Sequence, residues 1–181
     1  MAMAQLNAPL SPADHVVGPA SAAITLVEYG DYECGHCGLA QPNVAAVRKH
    51  FAQTLRFAFR HFPLTQAHPN AAPAAETAEF AGAHGRFWEM HDALFANQAR
   101  LGPSLFMALA AAHGLSPVAL RQALLTGQFR AKVQSDFLGG VRSGVNGTPT
   151  FFIEGMRHDG GYAVDELKRA IETRLRNRRL I

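Results

Sequence analysis

Ile24-Thr25-Leu26-Val27-Glu28-Tyr29-Gly30-Asp31-Tyr32-Glu33-Cys34-Gly35-His36-Cys37 leads from an apolar segment into a C-x-x-C pair that holds both cysteines of the chain. Residues 24–29 read as a buried strand, and from Leu39 to Phe51 apolar residues recur at helical spacing. The pair therefore falls at a strand-to-helix junction, with Cys34 at the N-terminus of the helix. Free N–H groups and the helix dipole favour a thiolate there. A thiolate both attacks disulfides and leaves from them, so a second thiol at Cys37 can close a ring reversibly. His36 is expected to add a partial positive charge beside Cys34.

Two other uses of the pair are weaker. Tetrahedral zinc needs two further ligands, and these would have to be histidines, none of which forms an H-x3-5-H pair: His61 and His68 are seven apart, as are His84 and His91. An inert structural disulfide across so short a loop would stabilise little.

At 181 residues, 48% apolar and 17% charged, the chain suits one well-buried domain. Its net charge of +3 is local in origin. Lys168, Arg169, Arg174, Arg176, Arg178 and Arg179 face only Glu172 in residues 168–181, a local +5, which leaves 11 basic and 13 acidic residues elsewhere. That cationic end suits the C-terminal dipole of a last helix and gives no reason to expect nucleic acid. No apolar run approaches the ~20 residues of a membrane span, so no membrane insertion is expected. Nor does the N-terminus show a signal peptide, its first Lys or Arg being Arg48. The expectation is a cytoplasmic protein, with a periplasmic or other extracytoplasmic setting as the alternative if a leader was removed.

Residues 1–13 are polar and Pro-punctuated and are expected to form a poorly ordered tail, with one domain over 14–181. Pro42 should interrupt the hydrogen bonding of the first helix. Leu55 to Phe62 reads as a second strand, giving a β-α-β unit with the dithiol at its first junction, where open sheets present their ligand sites. A helical insertion follows over about residues 66–144, with helices over 71–83, 87–97, 104–113, from Ser116-Pro117, and 129–141. The aromatic stretch Phe87 to Phe95 is read as core before substrate surface. Thr150 to Gly155, Met156 to Asp159 and Val164 to Arg178 complete a β-β-α ending, and the class is α/β.

Glu28 lies inside the first strand, six residues before Cys34. If its carboxyl is buried, it has a raised pKa and can exchange protons with Cys37; if it faces solvent, it is a strand-end acid. Asp31 and Glu33 would oppose a nearby thiolate and receive no role. Gly147-Thr148-Pro149-Thr150 precedes the third strand, where proline is permitted because no ladder donor is needed.

Together these features resemble the thioredoxin superfamily, and more narrowly its DsbA-like branch. The resemblance rests on Val27-Glu28-Tyr29-Gly30-Asp31-Tyr32-Glu33-Cys34, Arg60-His61-Phe62-Pro63-Leu64, the Phe87–Phe95 stretch and Gly147-Thr148-Pro149-Thr150-Phe151-Phe152. It implies a thioredoxin-like fold with a helical insertion and thiol-disulfide exchange with protein or peptide thiols. By the same likeness Cys34 is the exposed nucleophile, Cys37 the buried resolving thiol, Glu28 the buried acid, Pro149 a cis-proline facing the dithiol, and Thr148 a backbone contact for an extended substrate peptide. No cofactor is implied beyond a redox-active Cys34–Cys37 disulfide, which needs a recharging partner. Gly35 departs from the DsbA-like pattern, where proline is usual; Cys-Gly-His-Cys is similar to the active site of protein disulfide isomerases. Redox direction therefore stays open. A glutathione-dependent small-molecule enzyme and a non-catalytic peptide-binding or chaperone module are the alternatives, and neither requires a second thiol.

Overall fold

A computed structural model describes residues 4–179. The opening apolar run forms β2 (Ile24–Gly30), and the C-x-x-C leads into α1 (Gly35–His50), which crosses over to β3 (Leu55–His61). β2 and β3 pair in parallel from Ile24 opposite Leu55 to Gly30 opposite His61. β4 (Thr150–Ile153) lies antiparallel on the other side of β2 and turns into β5 (Met156–His158). A short strand, β1 (His15–Val17), adds antiparallel to β3, so the sheet order is β1-β3-β2-β4-β5. The sequence pattern does not announce β1, because three residues are too few to show a period.

As the central strand, β2 is covered on both faces, which explains its nearly unbroken apolar run. Leu26 packs with Phe57, Phe59, Phe151 and Ile153 against Val44 and Val47 of α1 and against Leu167 and Ile171 of α7 (Val164–Arg179). Val27 and Tyr29 point the other way, into a cluster with Ala58, Phe62, Val145 and Phe152. Strand alternation thus sets Glu28 on the α1 side, the side of the dithiol.

Between β3 and β4 come α2 (Ala71–Gly82), α3 (Phe87–Ala96), a 3-10 turn at Gln98–Arg100, α4 (Pro103–Ala112), α5 (Pro117–Thr126) and α6 (Arg130–Arg142). Local chemistry sets several of the ends. Ser116 accepts a hydrogen bond from the Ala119 N–H to cap α5, Pro117 opens that helix, and Gly127 closes it at φ 65°. Phe87, Met90, His91 and Leu94 of α3 are buried, so the aromatic stretch is core. A buried polar cluster joins insertion and sheet. His61 Nε2 lies 2.8 Å and His15 Nε2 3.0 Å from the Glu79 carboxylate, while Lys132 Nζ is 2.7 Å from Asp136 and 3.7 Å from Glu79. His61, Glu79 and Asp136 have the chemistry of metal ligands, but the Lys132 ammonium already supplies their cation.

Residues 4–13 of the segment expected to be a poorly ordered tail are instead fastened to the domain, while residues 1–3 lie outside the described residues. Gln5 bridges to Met156 at the outer edge of β5, Leu6 N–H donates to the Gly155 carbonyl, and Asn7 N–H donates to Ser143 Oγ. Arg60 completes the attachment. Its guanidinium donates to the carbonyls of Ala8 and Pro9, to the Tyr29 hydroxyl, and through two nitrogens to the Asp14 carboxylate at 2.7 and 3.0 Å. Composition alone missed this because the partners are more than 40 residues away in sequence. At the other end of the chain, the side chains of Arg178 and Arg179 lie outside the described residues.

Candidate active site

Cys34 is the N-cap of α1, with extended backbone angles and no side-chain cap, so its sulfur sits beside the first N–H groups of the helix. One turn on, Cys37 faces inward. Both thiols are free; Cys37 is 0% exposed and Cys34 6%, so the outer thiol is the accessible one yet more covered than expected. Gly35, between them, has nothing within 4 Å of where a Cβ would stand. Pro42 lies inside α1, as read from the sequence, and offers the Gly38 carbonyl no donor.

The two thiols are driven apart in acidity. Cys34 is pulled down to about 5, first by the hydrogen bond from the Cys37 thiol, against a desolvation cost, and then by the N–H groups of Cys37 and His36. Cys37 is pushed far up by burial, and its hydrogen bond to Cys34 and the nearby Glu28 carboxylate add to the shift. Neutral Cys37 is thereby a donor that steadies a charged neighbour.

His36 departs from expectation. Its imidazole turns away and meets the Tyr162 hydroxyl at 3.0 Å, so what it offers the Cys34 sulfur is its backbone N–H. The imidazole that responds to the thiolate is His68. Bonded through Nδ1 to Asp31 at 2.7 Å, it has its pKa raised by that carboxylate first and further by Cys34. Asp31 and Glu33, given no role from the sequence, brace the approach to the site. The buried Asp31 carboxylate accepts from the N–H groups of Glu33 and Leu64, and Glu33 accepts from the N–H and side-chain amide of Asn70.

Glu28 is 0% exposed, which decides between the two readings of its strand. Desolvation raises its pKa to about 8, partly offset by a hydrogen bond from Gln41, and the charge on Cys34 adds a smaller rise. Gln41 Nε2 donates to Oε1 at 3.3 Å, and Oε2 has no partner. Across from the dithiol, the Thr148–Pro149 peptide is cis, and the Thr148 carbonyl lies 3.4 Å from the Cys34 sulfur. The structure thus brings Cys34, Cys37, Glu28, Thr148 and Pro149 to one place, and leaves the His36 ring at its rim.

Three groups at this site escaped the sequence reading. Gln41 follows Cys37 by one helical turn, a spacing that could have revealed it. Gln98 donates to the carbonyls of Tyr32 and Cys34 at 2.8 and 2.9 Å, and His91 contacts the Tyr32 hydroxyl at 3.0 Å. These last two come from the insertion, and no local signal marks them.

With this geometry in place, the Thioredoxin family model matches residues 10–173 of the chain. The chain belongs to the thioredoxin family. Its thioredoxin fold is of the DsbA-like kind. BdbD from Bacillus subtilis superposes with a TM-score of 0.86 at 24% identity, covering 96% of this chain and 97% of that one. Alpha-DsbA1 from Wolbachia pipientis superposes at 0.77 with 24% identity, covering 93% of each chain. In sequence, the thioredoxin-family chain is 42% identical over 176 residues to Na(+)/H(+) antiporter NhaA 1 of Salinispora arenicola, a match that takes in 97% of this chain and 27% of that protein. It spans about a quarter of the length of the curated relatives it matches. No helix among the described residues is long and apolar enough to cross a membrane.

Proposed function

We propose that this domain is a thiol-disulfide oxidoreductase acting on protein or peptide thiols in the oxidising direction. The observation that carries this reading is the placement of Cys34 at the N-cap of α1 and beside the Thr148 carbonyl, with Cys37 fully buried one turn behind it. A substrate thiolate attacks the Cys34 sulfur of the Cys34–Cys37 disulfide; the sulfur–sulfur bond breaks, and Cys37 leaves with the electron pair. A buried Glu28 with a pKa of about 8 carries a proton at neutral pH and gives it to that departing thiolate. A second substrate thiolate then attacks the substrate sulfur of the mixed disulfide, and Cys34 departs as a thiolate, a good leaving group with its pKa near 5. The substrate gains a disulfide and the enzyme keeps two thiols.

A stabilised reduced form makes the disulfide more oxidising, which favours disulfide donation over reduction. The Thr148 backbone, next to the reacting sulfur, is the proposed strand-addition contact for the substrate peptide. Each turnover leaves an electron pair to be passed on, so the recharging partner is an electron acceptor, small or membrane-held. The comparisons give no support to the cytoplasmic expectation, and the proposed setting is extracytoplasmic. A chain with no cysteine outside its reactive pair is safe from mispairing there.

The test is a peptide carrying two thiols, mixed with the oxidised protein. The expected result is a peptide disulfide formed with stoichiometric reduction of Cys34–Cys37, and a trapped Cys34 adduct in Cys37→Ser but not in Cys34→Ser. Equal adducts in both variants, or none in either, would overturn the reading.

A further inference from the structure

Glu28 is held by one end of a hydrogen-bond chain that runs across α1 into the helical insertion. Gln41 Nε2 meets Glu28 Oε1 at 3.3 Å, Gln41 Oε1 meets His91 Nε2 at 3.2 Å, and His91 Nδ1 meets the Tyr32 hydroxyl at 3.0 Å. Whether ionised or with its proton on the unpartnered Oε2, Glu28 presents Oε1 only as an acceptor, so the side-chain amide turns its nitrogen to Glu28 and its oxygen to His91. The imidazole then carries its proton on Nε2, and Nδ1 accepts from Tyr32. Every donor points toward Glu28. Burial pushes the pKa of His91 well down, and the neighbouring His61, Arg48 and His15 add to that, so it serves as a fixed dipole and not as a second acid. Glu28 itself is faced by Cys34 and Cys37 from α1 and by Tyr32 from the loop before it, and its Oε2 is left with no partner.

We propose that Gln41 and His91 are positioning residues for the proton transfer between Glu28 and Cys37: the chain occupies Oε1 and fixes the carboxyl so that Oε2 alone exchanges the proton. This rests on the thiol-exchange reading above and assigns the parts of its buried step. In the direction of mixed-disulfide resolution, Oε2 of ionised Glu28 takes the Cys37 proton. The Cys37 thiolate attacks the Cys34 sulfur, the bond from Cys34 to the substrate sulfur breaks, and the substrate leaves as a thiolate while Cys34–Cys37 forms. The opposite direction uses the same atoms in reverse.

Gln41 is partly exposed and lines a surface pocket of about 360 Å³ with Gly38, Pro42, Ala45 and Asp92, so replacing it does not open the core. The test loads Cys34 with glutathione as a mixed disulfide and follows glutathione release by stopped flow across pH in the parent, Gln41→Leu, Gln41→Asn and Glu28→Gln. Glu28→Gln should slow release throughout. Gln41→Leu should slow it about tenfold and move its midpoint to higher pH, because the lost hydrogen bond favoured the ionised carboxylate. Gln41→Asn, one methylene too short to reach both partners, should behave like Gln41→Leu. Imidazole nitrogen NMR of the unmutated protein should place the His91 proton on Nε2. An unshifted midpoint in both Gln41 variants beside a slowed Glu28→Gln, or a His91 proton on Nδ1, overturns the positioning role while leaving Glu28 as the acceptor. A parent that releases no glutathione overturns the exchange reading itself.

Discussion

The Cys34 sulfur lies 3.4 Å from the carbonyl oxygen of Thr148, the residue that begins the cis bond to Pro149. That contact joins the start of α1 to the start of β4 across 114 residues of sequence, and the whole insertion lies between its two ends. The reactive sulfur therefore sits at a seam between two chain segments, against a backbone carbonyl of the turn that leads into β4.

The acidity of Cys34 should depend on its buried partner more than on His36. Cys37→Ala removes the thiol hydrogen bond that does most to lower the pKa and should raise the Cys34 titration from about 5 by roughly one pH unit or more. His36→Ala leaves the backbone N–H in place and should change it little. Thiolate absorbance against pH distinguishes the two; equal shifts in both variants would mean that the imidazole acts on the sulfur after all.

Stability should depend on pH differently in the two redox states. Glu28 has a folded pKa raised to about 8, above its unfolded value, so the unfolded chain loses this proton first and the folded state is weakened as pH climbs through the window between them. Cys34 has a folded pKa depressed to about 5; its contribution is fully present above the unfolded thiol value and is lost as pH falls through the folded one. Oxidised protein has no free thiol and should lack the Cys34 gain, groups such as His68 and His91 being common to both states, and the Glu28 part of its fall should vanish in Glu28→Gln. In reduced protein the Cys34 gain should offset that fall. Urea denaturation of both states from pH 5 to pH 8 is the measurement, and parallel curves would contradict the depressed Cys34.

Breaking the Arg60–Asp14 pair should be costly, because it strands a buried charge. Asp14→Ala should destabilise by about 3 kcal/mol and release the segment 4–13 from the sheet edge. Denaturant midpoints and amide exchange at Leu6 and Asn7 report the two effects. Fast exchange there in the unmutated protein would show that the segment is not fastened.

Two adjacent glycines of α6 should respond in opposite senses to alanine. A Cβ at Gly140 would stand 2.7 and 2.8 Å from the Phe62 ring and 3.0 Å from that of Tyr29, whereas at Gly139 the nearest atom is 3.5 Å away. Gly140→Ala should lose about 1–3 kcal/mol through overpacking, and Gly139→Ala should gain up to about 1 kcal/mol from helix propensity. Thermal midpoints of the pair check this.

The strands and helices that build the site were legible because each carries its own signal: the apolar run of Ile24 to Tyr29, the helical spacing after Cys37, and the Ser116-Pro117 start. What stayed hidden depends on distant partners. Nothing near His36 says that Tyr162 will capture its ring, and nothing near Gln98 says that it will hold the turn before Cys34. The anchoring of residues 4–10 was obscured for the same reason, since Arg60 and Gly155 lie far along the chain. Glu28 was legible as a position but not as an environment: alternation names its face, and only packing says that the face is sealed.

The empty space around Gly35 bears on how such a protein diversifies. The residue sits between the thiols, at the first position of α1, where proline and most other side chains are tolerated, and no atom stands in the way of a substituent. Nor is its own N–H among the groups that hold the Cys34 thiolate, which come from His36 and Cys37. A side chain added at this one site between the thiols therefore meets no steric barrier, so the loop can vary there without compensating changes in the rest of the scaffold.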